Sequence, residues 1–255
     1  MTPATPDPIE RFSNRVADYA RYRPDYPGGV LEILRREIGL TQATILADVG
    51  SGTGIATAVF LRHGNMVYAV EPNREMRTVA EQRLRAFPGF HSVEGRAEAT
   101  ALPDASVDCV LAAQAFHWFD PARARIEFRR ILRPDGWVVL LWNRRLREST
   151  PFLRAYETLL ETHALDYAQV RHERIDDAAL ACFFAPGFRR HTLPHAQVLD
   201  FESLKGRLLS SSYVPLPGHP AHAPMLATLR RIFGEHQQDG QVRLDYETVI
   251  YHGRV

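Results

Sequence analysis

In the first half of the chain, segments with the apolar pattern of a buried strand alternate with segments that have the apolar pattern of a helix. Continuous apolar runs of four to eight residues are typical of buried strands, whereas apolar residues spaced three or four positions apart are typical of helices. Five runs predict strands, namely ATILADV, MVYAV, FHSVE, VDCVLAA and WVVLLW. Helices are predicted after Pro27, over Ile55–Arg62, over Arg74–Phe87 and from Asp120-Pro121 to Leu132.

The order of these elements predicts a mostly parallel sheet. Strands that alternate with helices are joined by right-handed crossovers, and the helices then cover both faces of the sheet. The tetrapeptide RPDG is predicted to turn the chain into the fifth strand. The first half of the chain therefore predicts an α/β fold.

The alternating pattern changes after Asn143. Residues 151–184 are predicted to be mainly helical, as are residues 201–209 and 225–236. FRRHTLPHAQVL and the terminal segment QVRLDYETVIYHGRV predict two more strands. We expect the helices of this half to form a cap over the sheet edge, and residues 1–10, with three prolines, to form a flexible tail.

Composition narrows the range of functions. The 255 residues are 45% hydrophobic and 24% charged, as in an ordinary globular protein, and the net charge of +1 provides no basic field for nucleic acid. The longest strongly apolar run is too short to cross a bilayer and the N-terminus lacks an apolar signal core, so we expect a cytoplasmic protein without membrane partners. Cys109 and Cys182 fit no metal-ligand pattern, and both are predicted to be buried thiols.

A glycine-rich turn after the first predicted strand carries the clearest chemical signal. Gly50, Gly52 and Gly54 occur within five residues, between a predicted strand and a predicted helix. Such a turn lets the backbone approach a ligand and points helix amides at it. A dinucleotide-binding turn would need its last glycine where Ile55 stands, so the spacing disfavours that ligand class.

Two acids flank this turn. Asp48 precedes the first glycine, where it would repel a diphosphate but would suit a ligand that bears an ammonium group. Glu71 ends the second predicted strand, where a carboxylate can accept hydrogen bonds from both hydroxyls of a ribose. The predicted ligand therefore has a ribose and a cationic or zwitterionic end, and it lacks a diphosphate.

At this point the sequence resembles the class I S-adenosylmethionine-dependent methyltransferases. Four motifs carry the resemblance over about residues 40–143: LADVGSGTG, AVEPNREM, VEGRAEATALPDASVDCVLAAQAFHWF and ILRPDGWVVLLW. The segments RVADYARYRPDYP, QAFHWFD and SSSYVPLPG are similar to the small-molecule type-11 and trans-aconitate methyltransferase-like branch. The resemblance implies a Rossmann-like, doubly wound α/β fold with a mostly parallel seven-stranded sheet, an antiparallel last strand and helical cap insertions.

The resemblance also implies how the chain is divided. A single methyltransferase domain would span residues 11–255, with a cofactor-binding core at about 40–143. Residues 144–240 would hold the cap insertions and the sixth strand, and residues 241–255 the last strand. S-adenosyl-L-methionine would be the cofactor, and a small molecule would accept the methyl group.

The resemblance further implies the cofactor contacts. Backbone at the glycine turn would line the methionine and ribose parts, and Glu71 would hold the ribose hydroxyls. Arg96 stands where related sequences have the Asp that accepts from the adenine amine, so Glu98 or a backbone carbonyl would take that role. The implied contacts are Tyr19, Asp48, Gly50, Ser51, Gly52, Gly54, Glu71, Pro72, Met76, Ala97, Glu98 and Gln114.

Methyl transfer from a sulfonium is an in-line displacement, in which alignment of the reactants supplies most of the catalysis. His117 follows the fourth predicted strand at the edge where open α/β sheets bind ligands, so it is the candidate catalytic base or acceptor contact. A histidine that packs under the cap or lines the cofactor site is the alternative. The candidate acceptor contacts are Tyr22, Trp118, Arg144 and Tyr213, each with a packing or solvated position as its alternative.

Other functions are disfavoured but open. Glycine spacing and Asp48 weigh against a nicotinamide-dependent oxidoreductase, and the predicted cap weighs against a protein that binds the cofactor without catalysis. QAFHWF replaces the Asn- or Asp-Pro-Pro-Tyr run of enzymes that methylate nucleic-acid amines. The acceptor is expected to offer a carboxylate or hydroxyl oxygen. The other ten histidines lack metal-ligand spacing and are predicted to lie at the surface, and no metal is expected.

Overall fold

The computed structural model of the protein describes residues 15–165, 167 and 177–255. The sheet has seven strands in the order β3-β2-β1-β4-β5-β7-β6, and β7 runs antiparallel to both of its neighbours. This arrangement confirms the predicted fold class. The strands are β1 (Ile45–Val49), β2 (Met66–Val70), β3 (Phe90–Val93), β4 (Val107–Ala113), β5 (Leu132–Arg145), β6 (Phe188–Leu199) and β7 (Val242–Gly253).

The helices lie on both sides of the sheet and in the cap. Those described are α1 (Val16–Tyr22), α2 (Gly29–Ile38), α3 (Ile55–His63), α4 (Arg74–Leu84), α5 (Pro121–Ile131), α6 (Pro151–His163), α7 (Asp177–Phe183), α8 (Phe201–Leu209) and α9 (His222–His236). The predicted tail at residues 1–10 and the middle of the predicted helical segment 151–184 lie outside the described residues.

Several boundaries differ from the sequence prediction, and those of β5, α4 and α9 differ by three residues or more, since α9 begins three residues before the predicted residue 225. The RPDG segment does not precede β5 but forms a bulge inside it, because Leu132 pairs with Val107 and the next paired residue, Trp137, is already opposite Cys109. Asp135 adopts φ +63° in this bulge. Helix α4 ends at Leu84, three residues before the predicted Phe87.

Alternate residues of the central strands enter different cores. Val110 and Val138 pack into the cluster on the face covered by α5, whereas Leu111 and Val139 pack into the cluster with α2 and α3. This separation follows from the two-residue period of a strand, and it explains why central strands buried on both faces read as continuous apolar runs. A third cluster joins α6, α8, α9 and β7 in the cap.

The thiols and the helix lengths bear on two further predictions. Cys109 is buried in β4, and burial raises the pKa of its thiol to about 12. Cys182 is exposed, so its predicted burial is wrong: helix α7 turns Leu180 and Phe183 inward instead.

Within the described part of the chain, none of the helices has the length and apolar character needed to span a membrane.

The close approach of α3 to α4 depends on Gly54, which gives a test of the fold. Gly54 precedes α3 at φ +79°, and a Cβ built there would lie 2.5 Å from Leu84 Cδ1. We expect Gly54→Ala to lower the free energy of unfolding by about 1–3 kcal/mol, through positive φ and overpacking. Urea unfolding measures the change.

Gly234 provides the matched control for this substitution. It lies in α9, and a Cβ built there would meet nothing within 4 Å. Gly234→Ala is expected to raise the free energy of unfolding by about 0.5–1 kcal/mol, because alanine loses less backbone entropy in a helix. An unchanged urea midpoint for Gly54→Ala would contradict the packing account.

Candidate active site

The candidate site forms where β1 and β2 end side by side. Val49 pairs with Val70, and the carbonyl of Val70 then accepts hydrogen bonds from the N–H groups of Gly50 at 2.9 Å and Ser51 at 3.2 Å. Gly50 has φ +71°, and a Cβ built there would lie 2.6 Å from Ala115 Cβ. The turn therefore needs glycine at this position both for its backbone angle and for space.

Glu71 ties this turn to the end of β2. Its Oε2 accepts from the N–H of Gly52, and its Oε1 accepts from the N–H of Asn73, both at 2.8 Å. Burial raises the pKa of Glu71, an effect that these hydrogen bonds oppose. Asn73 in turn caps α4 by accepting from the N–H of Met76 at 2.9 Å. One carboxylate thus positions the glycine turn and the start of α4.

A cavity of about 450 Å³ opens at this edge of the sheet, a volume in the range of small-molecule sites. It brings together most of the residues predicted to bind a cofactor. Those that line it are Tyr19, Gly50, Ser51, Gly52, Glu71, Pro72, Met76, Ala97, Glu98 and Gln114, together with the predicted acceptor contact Trp118.

Asp48 and Gly54 lie next to the cavity but do not line it. Asp48 is buried beneath the turn, and its Oδ2 accepts from Thr57 Oγ1 at 2.6 Å. Gly54 faces Leu84 and Ala80 of α4, so it has the packing role described above, and its predicted cofactor contact stays a prediction. The third glycine of the turn therefore serves helix packing.

Four other predicted site residues also lie away from the cavity lining. His117 is in a short 3₁₀ turn, Phe116–Trp118, with its ring 4.7 Å from that of Trp118. Tyr22 packs on Gly206 of α8, because glycine leaves room for its ring. Tyr213 packs against Tyr167 at 4.9 Å.

Arg144 is the fourth of these residues. It is exposed at the end of β5, opposite Glu247 of β7. The next residue, Arg145, points to the other face of the strand and forms an ion pair with Glu157. The structure therefore brings neither Arg144 nor Arg145 to the cavity.

Sequence reasoning missed Arg23, which lines the cavity from the segment after α1. Its Nη2 donates to the carbonyl of Ser210 at 2.9 Å and lies 3.5 Å from Ser211 Oγ, and its guanidinium lies 4.9 Å from the ring centre of Tyr19. The buried Nε has no hydrogen-bond partner among the described residues. Burial and the nearby charge of Arg207 lower the pKa of Arg23.

Arg207 approaches the same hydroxyl from α8. Its Nη1 donates to Ser211 Oγ at 3.2 Å and its Nε to Tyr246 Oη at 3.1 Å, and only 7% of the residue is exposed. Among the residues that the structure describes, no carboxylate lies within 4.0 Å of either guanidinium. Two positive charges, one half-buried in the cavity wall and one buried outside the cavity lining, therefore converge on Ser211 without an acidic partner among the described residues.

Buried polar atoms without partners also face the cavity from the core. Ser51 Oγ and Gln114 Oε1 are buried and accept or donate no hydrogen bond within the described chain. Gln114 adopts φ +56°, an uncommon angle for a residue other than glycine. Its Nε2 donates to the carbonyl of Asn143 at 3.2 Å, which aims Oε1 elsewhere. Such strain and such orphaned atoms are typical of ligand sites.

The corner predicted to hold adenine is built from the loop after β3. Ala97 is buried there, and the side chain of Arg96 is exposed at the rim. Glu98 Oε1 accepts from the N–H of Asp120 at 2.8 Å, so one of its oxygens is already engaged in fixing the start of α5. A backbone group and the other Glu98 oxygen are the polar groups that this corner offers.

Known proteins share both the sequence and the fold of this chain. Residues 47–140 match the methyltransferase domain family, type 11. A methyltransferase-like protein of Schizosaccharomyces pombe is 30% identical over 251 residues, which cover 95% of this chain and 94% of the relative. The chain belongs to the class I S-adenosylmethionine-dependent methyltransferases. A Mycobacterium tuberculosis methyltransferase of uncharacterised function is 41% identical over 145 residues, or 57% of each chain.

Two solved structures show how widely the fold of this methyltransferase is shared. A candidate type II methyltransferase from Anaeromyxobacter dehalogenans superimposes with a TM-score of 0.69 at 24% identity, covering 91% of this chain and 98% of the other. The [4+2]-cyclase SpnF superimposes with a TM-score of 0.56 at 14% identity, covering 97% and 95%. At these identities the similarity establishes the fold alone.

Asp48 gives a test of the electrostatics beneath the methyltransferase site. Burial raises the pKa of its carboxyl group to about 7, against the hydrogen bond from Thr57. Between pH 4 and 7 the folded protein then holds a proton that the unfolded chain has released, so the free energy of unfolding falls as pH rises, by up to about 1.4 kcal/mol per pH unit. Asp48→Asn removes this contribution.

The expected result is a stability gain of Asp48→Asn over the wild type that grows from pH 4 to pH 7 in the absence of ligand. Chemical unfolding at several pH values measures it. Asp239→Asn, an exposed substitution before β7, controls for the loss of one carboxyl group from the chain. A difference between Asp48→Asn and the wild type that stays constant with pH would contradict the raised pKa.

Proposed function

We propose that this methyltransferase transfers a methyl group from S-adenosyl-L-methionine to a carboxylate oxygen of a small anionic acceptor. The observation that carries the proposal is that two guanidinium groups meet at Ser211 without a carboxylate among the described residues: that of Arg23, half-buried in the cavity wall, and that of Arg207, buried in α8 outside the cavity lining. Burying a charge without a partner is costly, and an anionic ligand at this position would offset that cost.

The cavity residues fit the cofactor of the family. Glu71 would accept from the ribose hydroxyls, since each of its oxygens has a lone pair left after the bonds from Gly52 and Asn73. Gln114 Oε1 faces the cavity without a partner among the described residues, so an ammonium group at the methionine end would satisfy it, whereas Asp48 stays buried beneath the turn and would act on that group only through its charge. The remaining proposed contacts are Tyr19, Gly50, Ser51, Gly52, Pro72, Met76, Ala97 and Glu98.

When bound, the sulfonium supplies an electrophilic methyl group and a neutral leaving group. The protein then has to hold an acceptor oxygen in line with that methyl group and exclude water. Such positioning is worth roughly 7–11 kcal/mol of the barrier. Arg23, which lines the cavity, would hold the acceptor through charge-assisted hydrogen bonds, Arg207 would add positive charge from beyond Ser211, and Trp118 would pack against the acceptor at the cavity wall.

The absence of a histidine from the cavity lining, among the described residues, favours a carboxylate over a hydroxyl acceptor. A hydroxyl group must lose a proton during transfer, and histidine is the usual base near neutral pH. Over residues 15–165, 167 and 177–255, no histidine lines the cavity. A carboxylate is already ionised at neutral pH, so its methylation requires no base. Of the two expected oxygen acceptors, a carboxylate is therefore favoured over a hydroxyl group.

Transfer of a labelled methyl group to small carboxylic acids, each paired with the neutral amide of the same skeleton, tests the proposal. We expect transfer to acids and not to amides. Arg23→Met and Arg207→Met should raise KM for the acid by about tenfold to a hundredfold, the worth of a hydrogen bond to a charged group. Arg207→Lys, which keeps the charge, should restore part of the affinity.

Two control variants separate acceptor from cofactor binding. Arg144→Met removes an exposed arginine outside the cavity and should leave KM unchanged. Glu71→Gln should weaken binding of S-adenosylmethionine, measured by titration calorimetry, without selective loss of acids. Equal transfer to amides would overturn the acceptor assignment, as would Arg23→Met and Arg207→Met that weaken cofactor binding alone.

His117→Gln decides whether a base takes part. If the acceptor is a carboxylate, kcat at saturating substrate should fall less than about tenfold, because no proton has to be removed and His117 lies outside the cavity lining. A general base contributes about a hundredfold or more, so a loss of that size would support the role of His117 as base and point to a hydroxyl acceptor.

A further inference from the structure

Two histidines and a glutamate meet on the α2 side of the sheet, away from the cavity. His191 of β6 and His252 of β7 are diagonal neighbours, since Arg189 is opposite His252 and His191 is opposite Ile250. Side chains at such positions share a face and come within reach of each other. Their rings stack with centres 5.3 Å apart and planes inclined by 9°, and their Nε2 atoms lie 3.2 Å apart.

Glu37 completes the cluster from the last turn of α2. Its Oε2 lies 3.8 Å from His191 Nε2 and 3.9 Å from His252 Nε2, too far for a hydrogen bond to either. Glu37 also accepts from Arg36 and Arg189, both at 2.9 Å, but the side chains of these arginines are 65% and 75% exposed and can move into solvent.

The three distances match those expected around one metal ion. Donor atoms about 2.1 Å from a tetrahedral ion lie about 3.4 Å from one another. The observed separations of 3.2, 3.8 and 3.9 Å bracket that value, so shifts of a few tenths of an ångström would bring all three atoms to the ion. Two imidazoles and one carboxylate are a ligand set for zinc and similar divalent transition metals.

The burial of His252 adds a second argument. Its side chain is 2% exposed, so its predicted surface position is wrong, and its Nδ1 has no hydrogen-bond partner among the described residues. Every polar contact that the structure gives this ring therefore involves Nε2, which points at His191 and Glu37. Two Nε2 atoms 3.2 Å apart cannot both carry a hydrogen directed at the other, so at least one of them presents a lone pair toward the cluster.

We propose that Glu37, His191 and His252 form a binding site for a divalent transition-metal ion, for which Zn²⁺ is the probe. The ion would join α2 to the hairpin of β6 and β7. None of the three residues lines the cavity, so the site would stabilise the fold and take no part in methyl transfer. Its existence does not depend on the proposed acceptor.

Titration of the untagged, chelator-treated full chain with ZnCl₂ tests the site by calorimetry and thermal unfolding. We expect one Zn²⁺ per chain and an unfolding temperature that rises with zinc concentration, as for any ligand that binds only the folded state. His191→Gln and Glu37→Gln should each weaken binding by about tenfold or more and abolish the thermal shift. Both side chains lie near the surface, so these variants should fold.

His219→Gln is the matched control, because His219 is exposed and lies in the loop before α9. It should bind Zn²⁺ as the wild type does. Co²⁺ in place of Zn²⁺ should give the strong visible bands of a four-coordinate ion in the wild type and in His219→Gln, but not in His191→Gln. Failure of the wild type to bind one Zn²⁺, or wild-type binding by both His191→Gln and Glu37→Gln, would overturn the proposal.

Discussion

The site depends on the carboxylate of Glu71, which accepts one hydrogen bond from Gly52 and one from Asn73. Because β1 and β2 are parallel and in register at their ends, the residues that follow them emerge at the same edge of the sheet. The carboxylate then joins the turn before α3 to the cap of α4, and two helix N-termini are fixed around one opening. The shape of the cavity follows from these two hydrogen bonds of Glu71.

The polar groups around this opening are arranged for a ligand and not for the stability of the empty protein. Buried side-chain atoms of Asp48, Ser51, Thr53 and Gln114 have no partner among the described residues, and each such atom costs roughly 1–3 kcal/mol. They lie at the end of β1, in the glycine turn that follows it and directly after the neighbouring strand β4. A fold selected for stability alone would replace or pair them, so their concentration at one cavity is the physical mark of a binding site.

The features that the sequence predicts are those that depend on residues close together along the chain. Strand periods, glycine spacing and the acid at the end of β2 indicated an α/β fold and the turn beside the cavity, because positive φ and buried strands leave local patterns, and the family resemblance supplied most of the other lining residues. The pairing of Arg23 with Ser211 spans 188 positions and depends on how α8 packs beside α1, which no local pattern encodes. The same holds for His191 and His252, which become neighbours only through the register of β6 and β7.

Residues predicted from local patterns form the proposed cofactor half of the site. Residues that meet only through distant contacts form the proposed acceptor half. Gly52, Glu71 and Gln114 all lie within residues 47–140, the part shared with the methyltransferase domain family, whereas Arg23 and Arg207 lie outside it. The shared part would fix what the family has in common, which is the proposed cofactor site. In the proposed function the acceptor half is set by charges from α8 and from the segment after α1. Since two neighbouring guanidiniums repel each other until an anion lies between them, the proposed negative charge of the acceptor follows from this chain's own cap and not from the fold.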